Sequence, residues 1–363
     1  MTGVEEMLKL VEFIKNNPNW EELLQTEPYN LIIKRKENFI LFYYNQISSD
    51  FKEPLVGESR GIILEDKTFN VLCYSFDKFW NSSEELASDI DWDSARVLEK
   101  MDGSMIKLWN YNNQWRVSTM ATIDAKDAPL ISCNENINTF YDLFELAWKN
   151  NDVDIETLNK DYTYIFELVS PYNRVVVNYP KADLYHIGTR DNKTLKELNI
   201  DIGFKKPKEY SFSNLDEVVE MAEKLPYSEE GYVIVDKHWN RVKVKSPSYV
   251  AVHHLKNNGV ISEDRALIII KKNEKSEFLS YFPEYSDDLN KIEAKYKKYL
   301  KLVNESLNEF DNYKDLPRKD FAMWAKTTAN PHIAFRLYDN KINIDEVNDY
   351  INQSLNYDTI KNL

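Results

Sequence analysis

Two textures of apolar and polar positions divide this chain. Met7, Leu8, Val11 and Ile14 recur at helical spacing until Asn16-Asn17-Pro18 ends the run, which predicts an opening helix. Short β-branched or aromatic runs between polar turns follow, and they predict strands at Leu31 to Lys34, Phe39 to Tyr44, Gly61 to Glu65 and Val71 to Tyr74. The same texture returns at Ser104 to Trp109, Trp115 to Thr119, Tyr162 to Val169, Arg174 to Val177, Leu184 to Gly188, Tyr232 to Asp236 and Arg241 to Lys245. Thr139 to Lys149 and Leu215 to Lys224 predict helices among them. Strands and helices mixed without a regular β-α-β alternation predict an α+β body with mainly antiparallel sheets.

The texture changes around Tyr249 to Gly259. From Glu263 onward, Leu289, Ile292, Tyr296, Tyr299, Leu300, Val303, Leu307 and Phe310 make one long amphipathic stripe after a candidate N-cap at Ser286. Phe321, Trp324 and Ala325 mark another helix, and Val347 and Ile351 a last one. The expected layout is therefore an α+β domain over residues 1–254 and an all-α C-terminal domain over 255–363.

Composition adds bounds. A length of 363 residues with 43% hydrophobic and 13% aromatic residues suits an ordered chain of two domains. Two cysteines, Cys73 and Cys133, make no disulfide framework and read as small apolar residues of a reducing compartment. Met1 to Leu10 carries Glu5, Glu6 and Lys9, and so lacks the apolar run of a signal peptide; a cytoplasmic protein is expected. The net charge of −14 argues against a protein that coats nucleic acid and confines any such contact to a local groove. Lys205-Lys206-Pro207-Lys208 reads as solvated loop charge. The run from Lys237 through His238, Arg241, Lys243 and Lys245 to His253 and His254 is the better candidate, because Lys243 and Lys245 sit at strand spacing.

Candidate chemistry centres on Lys100-Met101-Asp102-Gly103. Alone, Asp-Gly is an ordinary turn signal, and Asp102 a turn former. In order along the chain, however, stand Ser59-Arg60-Gly61, the lysine turn, Phe166-Glu167, Glu230-Gly231-Tyr232-Val233 and Lys243-Val244-Lys245, and each meets one need of a nucleotide-activating site. A nucleophilic lysine must be neutral, a state that only about one unperturbed lysine in a thousand holds near neutral pH, so such a site has to favour it. Lys243 and Lys245, two apart on a strand, share one face and together could offset charge on a triphosphate. Of Glu167 and Glu230, one could orient a ribose hydroxyl and the other hold Mg²⁺. Gly103 gives the chain its turn and lets backbone approach a ligand.

The ordered series resembles the motifs of covalent nucleotidyltransferases. Finer features resemble the phage RNA ligase 1 family, the tRNA-repair ligases of T-even bacteriophages. They are Tyr44 within Phe42-Tyr43-Tyr44-Asn45, Lys78-Phe79-Trp80-Asn81, Pro171-Tyr172-Asn173-Arg174-Val175-Val176, Lys245-Ser246 with Tyr249-Val250, and Arg318-Lys319-Asp320-Phe321-Ala322-Met323. The resemblance, which runs from about residue 30 to 330, implies an N-terminal adenylyltransferase domain and an ATP-dependent RNA ligase. Lys100 would carry AMP, Arg60, Lys78, Lys243 and Lys245 would contact the triphosphate, and Tyr44, Glu99, Asp102 and Gly103 would complete the nucleotide site. Glu167 would bind the ribose and Glu230 the metal, Mg²⁺ or Mn²⁺. The substrate would be RNA with 5′-phosphate and 3′-hydroxyl ends, such as nicked tRNA, with an end-healing kinase/phosphatase as partner and a monomer as the working form. One departure is Ser118-Thr119-Met120-Ala121-Thr122, where the family usually has a basic residue at the position of Met120; either another cation such as Lys107, Arg116 or Lys126 takes over, or the second and third steps differ in efficiency or substrate. Alternative readings are a DNA ligase or capping-type enzyme, which the absence of OB-fold-like strands after residue 255 disfavours, and a nucleotide- or RNA-binding protein without catalysis.

Overall fold

A computed structural model describes residues 7–134, 136–151, 153–254 and 261–363. Residues 255–260, where the expected boundary falls, and the side chains of Cys133 and His254 lie outside what it describes. The chain forms two compact units, Met1–His253 and His254–Leu363.

The first unit is α+β, built on three larger sheets and a two-stranded pair, Pro129–Asn134 with Ile137–Thr139. Leu31–Lys36, Phe39–Tyr44, Arg60–Glu65 and Val71–Cys73 pair in sequence order as an antiparallel four-stranded sheet. A second, five-stranded and antiparallel, runs Glu197–Leu198, Asp183–Asp191, Tyr162–Val169, Ser104–Tyr111, Gln114–Ser118. The third runs Glu209–Tyr210, Arg96–Glu99, Gly231–Val235, Arg241–Lys245, Trp80–Asn81; its last pair is parallel, a departure from the antiparallel rule. Strand alternation sorts the faces of this third sheet. Val97, Tyr232, Ile234, Val242 and Val244 go into a core closed by the helix Leu215–Glu223. Arg241, Lys243 and Lys245 consequently fall on the opposite face.

The second unit is helical. Its longest element, Ser286–Phe310, buries Leu289, Ile292, Tyr296, Tyr299, Val303 and Phe310 along one stripe. Ser286 is not its cap: the 3₁₀ turn Pro283–Tyr285 feeds straight into the helix, so Ser286 already has helical dihedrals. Among the described residues no helix is long and apolar enough to cross a membrane.

The strand expected at Arg174 to Val177 does not form. The backbone N–H groups of Val176 and Val177 are taken by the Asp102 carboxylate at 2.9 and 2.7 Å, which leaves them no ladder partner and bends the segment around that side chain.

Candidate active site

A cavity of about 370 Å³ opens between the two five-stranded sheets. Of the expected site residues, Arg60, Glu99, Lys100, Gly103 and Glu167 line it. Lys100 follows directly on the strand Arg96–Glu99, and its backbone N–H donates to the Gly231 carbonyl at 2.8 Å, which extends the pairing one residue further. Its side chain is 21% exposed, with Nζ 2.9 Å from Glu230 Oε2. Lys245 Nζ stands 3.5 Å from the other oxygen of the same carboxylate. Glu230 is buried, and a buried carboxylate is tolerated because these two ammonium groups compensate it. The close approach depends on Gly231: at φ +138° a Cβ would come within 2.1 Å of the Val244 carbonyl.

Asp102 turns away from the cavity and knits its surroundings. Beyond Val176 and Val177 it accepts the Tyr249 hydroxyl at 2.8 Å. Gly103 is required by packing, since a Cβ there would lie 2.4 Å from the Leu168 carbonyl.

Glu167 projects into the cavity because its neighbours Phe166 and Leu168 point into the core on the other face of their strand. Burial pushes its carboxyl up to about 7, against the pull of Lys100 and with reinforcement from Glu230. His186, also in the lining, is pushed down to about 4 by burial, with Lys206 adding to the effect. Lys206 itself lines the cavity, a correction to the reading of its loop as purely solvated charge.

Tyr44 and Lys78 form a separate cluster. The Lys78 ammonium lies 4.7 Å from the Trp80 ring and 5.5 and 5.4 Å from those of Tyr44 and Phe51. Arg60 connects this cluster to the cavity, which it lines, and its charge bears on the buried Tyr44 hydroxyl. Lys243 and Lys245 share one strand face and neither lines the cavity; Lys245 is tied to it through Glu230 and Lys100.

None of the three candidate substitutes for the charge absent at Met120 lines the cavity either. Lys107 is fully buried and donates to the Gly61 carbonyl, Arg116 pairs with Glu37 at 3.0 Å, and Lys126 lies 4.4 Å from the Tyr141 ring.

Two residues in or beside the site, Arg96 and Tyr179, carry no sequence signal of their own, and Arg241, expected only as part of a basic run facing nucleic acid, joins them. Arg241 lines the cavity, bonded to the buried Glu197 at 2.8 Å and stacked 4.1 Å from Phe76. Arg96 closes the rim through Glu209 at 2.8 Å. Tyr179 accepts the Asp102 N–H at 3.2 Å. Each role depends on strand register or on a loop crossing, which residue type alone does not disclose.

A family model described as RNA ligase matches residues 58–249. An RNA ligase of Rhodothermus phage RM378 is 24% identical over 371 residues, covering 81% of this chain and 83% of that protein. A protein of Autographa californica nuclear polyhedrosis virus, provisionally named bifunctional polynucleotide kinase/RNA ligase, is 29% identical over 296 residues. That match covers 76% of this chain but 41% of the viral protein, so the chain spans less than half of that relative's length. Among solved structures, an archaeal ATP-dependent RNA ligase is similar over 87% of this chain and 88% of its own, at 12% identity and a TM-score of 0.49.

Proposed function

The chain belongs to the RNA ligase family, and from that premise we propose that it joins RNA 5′-phosphate and 3′-hydroxyl ends with ATP, through AMP carried on Lys100. The observation that carries this reading is the placement of Lys100 at a cavity wall, with Glu230 and Lys245 beside it and Glu167 lining the same cavity. The cavity lies within the roughly 300–1,000 Å³ typical of small-molecule sites. Its walls are divided in a way that suits a nucleotide. Leu98, Val233, Met105 and Phe76 offer apolar surface to a base, and Glu167 offers a carboxylate to a ribose hydroxyl.

In the first step Lys100 leaves Glu230 and gives up a proton to solvent. Its nitrogen then bonds to the α-phosphorus as the bond to the bridging oxygen breaks and pyrophosphate departs. In the second, an oxygen of the RNA 5′-phosphate bonds to the AMP phosphorus, the Lys100 N–P bond breaks and the amine regains its proton. In the third, the RNA 3′-hydroxyl attacks the 5′-phosphorus, loses its proton and releases AMP. Lys245, Lys243 and Arg60 would offset phosphate charge during these displacements, where positioning and neutralisation do most of the work.

Among the described residues there is no cluster of three or more metal-ligating side chains. Mg²⁺ needs only one or two carboxylates beside phosphate oxygens and water, so Glu230 fits as its protein ligand. When bound, the ion would neutralise charge on the phosphate oxygens. The viral relative's name joins a polynucleotide kinase to an RNA ligase, and an end-healing kinase is accordingly the proposed partner, with nicked tRNA the proposed substrate.

Incubation with a divalent metal and α-labelled ATP or GTP, followed by denaturation, tests the reading. Label is expected on Lys100 from ATP alone; label from GTP instead supports capping-type chemistry, and none from either supports a binding protein. Lys100→Ala is expected to lose the label yet still seal RNA that already carries a 5′-adenylate.

A further inference from the structure

The turn between the strands Gly231–Val235 and Arg241–Lys245 holds Trp239 at φ +66°, a left-handed conformation that bulky side chains rarely adopt. Such a residue is strained and persists only where its surroundings impose it. Asp236 imposes it here. Its carboxylate accepts the backbone N–H groups of His238 (2.8 Å), Asn240 (3.0 Å) and Asp91 (3.1 Å) and the Asn240 side-chain amide (2.9 Å), while its carbonyl accepts the Trp239 N–H at 3.0 Å.

The imposed conformation puts Trp239 on a boundary. With Phe79 and Arg241 it borders both the cavity containing Lys100 and a second hollow of about 1240 Å³. Lys196 and Lys237 line that second hollow and are exposed. Lys237 pairs with Asp91 at 2.8 Å, a surface contact weak enough to exchange for a phosphate. The carboxylates lining the hollow are already engaged. Glu197 lies between Arg190 at 3.2 Å and Arg241 at 2.8 Å, Asp77 accepts the Tyr74 hydroxyl, Glu12 pairs with Lys9 at 3.0 Å, and Glu58 accepts the Lys9 and Leu10 N–H groups at 2.9 and 2.8 Å. What is left to meet a ligand is an aromatic ring at the junction and cations on the rim, the pairing by which proteins hold single-stranded nucleic acid.

We propose that this hollow seats the single-stranded end of the RNA whose terminal phosphate reacts in the cavity, with the terminal base stacked on the Trp239 indole and following phosphates facing Lys196 and Lys237. The proposal rests on the ligase reading and extends it to the second substrate. It is tested on the full chain, without ATP, by fluorescence anisotropy of a short 5′-phosphorylated single-stranded RNA across a salt series. Trp239→Ala is expected to weaken binding on the order of 5- to 150-fold, while Trp239→Phe, which keeps a ring, retains most of the affinity. Lys196→Gln and Lys237→Gln are each expected to reduce the slope of log affinity against log salt by about 0.7, the contribution of one single-strand phosphate contact. Equal affinity and slope across all four variants, or a loss in Trp239→Phe as large as in Trp239→Ala, overturns the proposal. Transfer of label from ATP to the native chain, scored in parallel, decides the ligase reading separately.

Discussion

Asp102 ties three segments together with one carboxylate: its Oδ2 holds the backbone at Val176 and Val177, and its Oδ1 holds the Tyr249 hydroxyl. Removing an acceptor from buried donors costs roughly 1–3 kcal/mol, because the donors stay dehydrated without a partner. Asp102→Ala is expected to lose that much in urea unfolding and Tyr249→Phe about 1 kcal/mol. The double variant should lose less than the sum, since both remove the same bond; strict additivity would show that the bond contributes nothing. Glu167 allows a test by pH. Its carboxyl, normally near 4.5, titrates at about 7 in the fold, so the folded chain binds that proton more tightly than the unfolded one. Its contribution to stability is full below about pH 4.5 and is lost as pH rises through about 7. Glu167→Gln abolishes this dependence, so the melting temperature of the variant relative to the native chain should be more favourable at about pH 8 than at about pH 5. Glu58, raised to about 7 by burial, titrates in the same window and cancels in that comparison. That Lys100 meets Glu230 beside a cavity that Glu167 lines was foreshadowed in the sequence, because the proposed chemistry needs those residue types in that order. The cavity position of Arg241, expected only as part of a basic run, and that of Trp239 were not. The place of Arg241 follows from its pairing with Val235 across the hairpin, and that of Trp239 from a backbone angle, neither of which a residue type encodes.

Whole elements were readable where they are long and either continuously apolar, as in Phe39–Tyr44, or periodic, as in Arg241–Lys245. The strands Phe39–Tyr44, Tyr162–Val169 and Arg241–Lys245 and the helix Phe140–Lys149 stand close to where their patterns predict. The misses are short or one-sided. Trp80–Asn81 has two residues, and Arg96–Glu99 has four with a charge at each end, too few to display a period. Arg174 to Val177 has β-branched residues but gives its N–H groups to a side chain, and propensity yields to that competing bond. Glycines mark where elements must approach closely. Gly231→Ala combines a positive φ with a clash against the Val244 backbone, which cannot move without opening the hairpin that places Glu230 beside Lys245. It is expected to destabilise by more than the ~1 kcal/mol of an ordinary substitution and to slow label transfer from ATP. Gly57→Ala is the control. It lies in the helix Pro54–Glu58 with nothing within 4 Å of its added Cβ, and should leave the melting temperature unchanged or raise it by the equivalent of about 0.4–1 kcal/mol.

Over the whole molecule, charge and architecture bear on the same question of what the first unit can do alone. A net charge of −14 leaves little general attraction for RNA, so binding has to come from local features such as the hollow beside Trp239. The two units each bury apolar clusters of their own, around Phe166 and Ile234 in the first and Tyr296 and Phe321 in the second. Every residue that lines the cavity, together with Glu230, Lys245 and Tyr249, precedes His254. A chain ended after residue 253 is therefore expected to fold and to take label from ATP onto Lys100, because no group assigned to that step is removed. Joining of a nicked, structured RNA should fall relative to joining of a short single strand if the helical unit serves substrate choice. Labelling of the shortened chain beside the full one measures the first expectation, and sealing of the two RNAs by each chain measures the second. A shortened chain that is folded by circular dichroism yet takes no label would mean that the helical unit supplies a group to adenylation itself, and the assignment of that step to the cavity around Lys100 would then be incomplete.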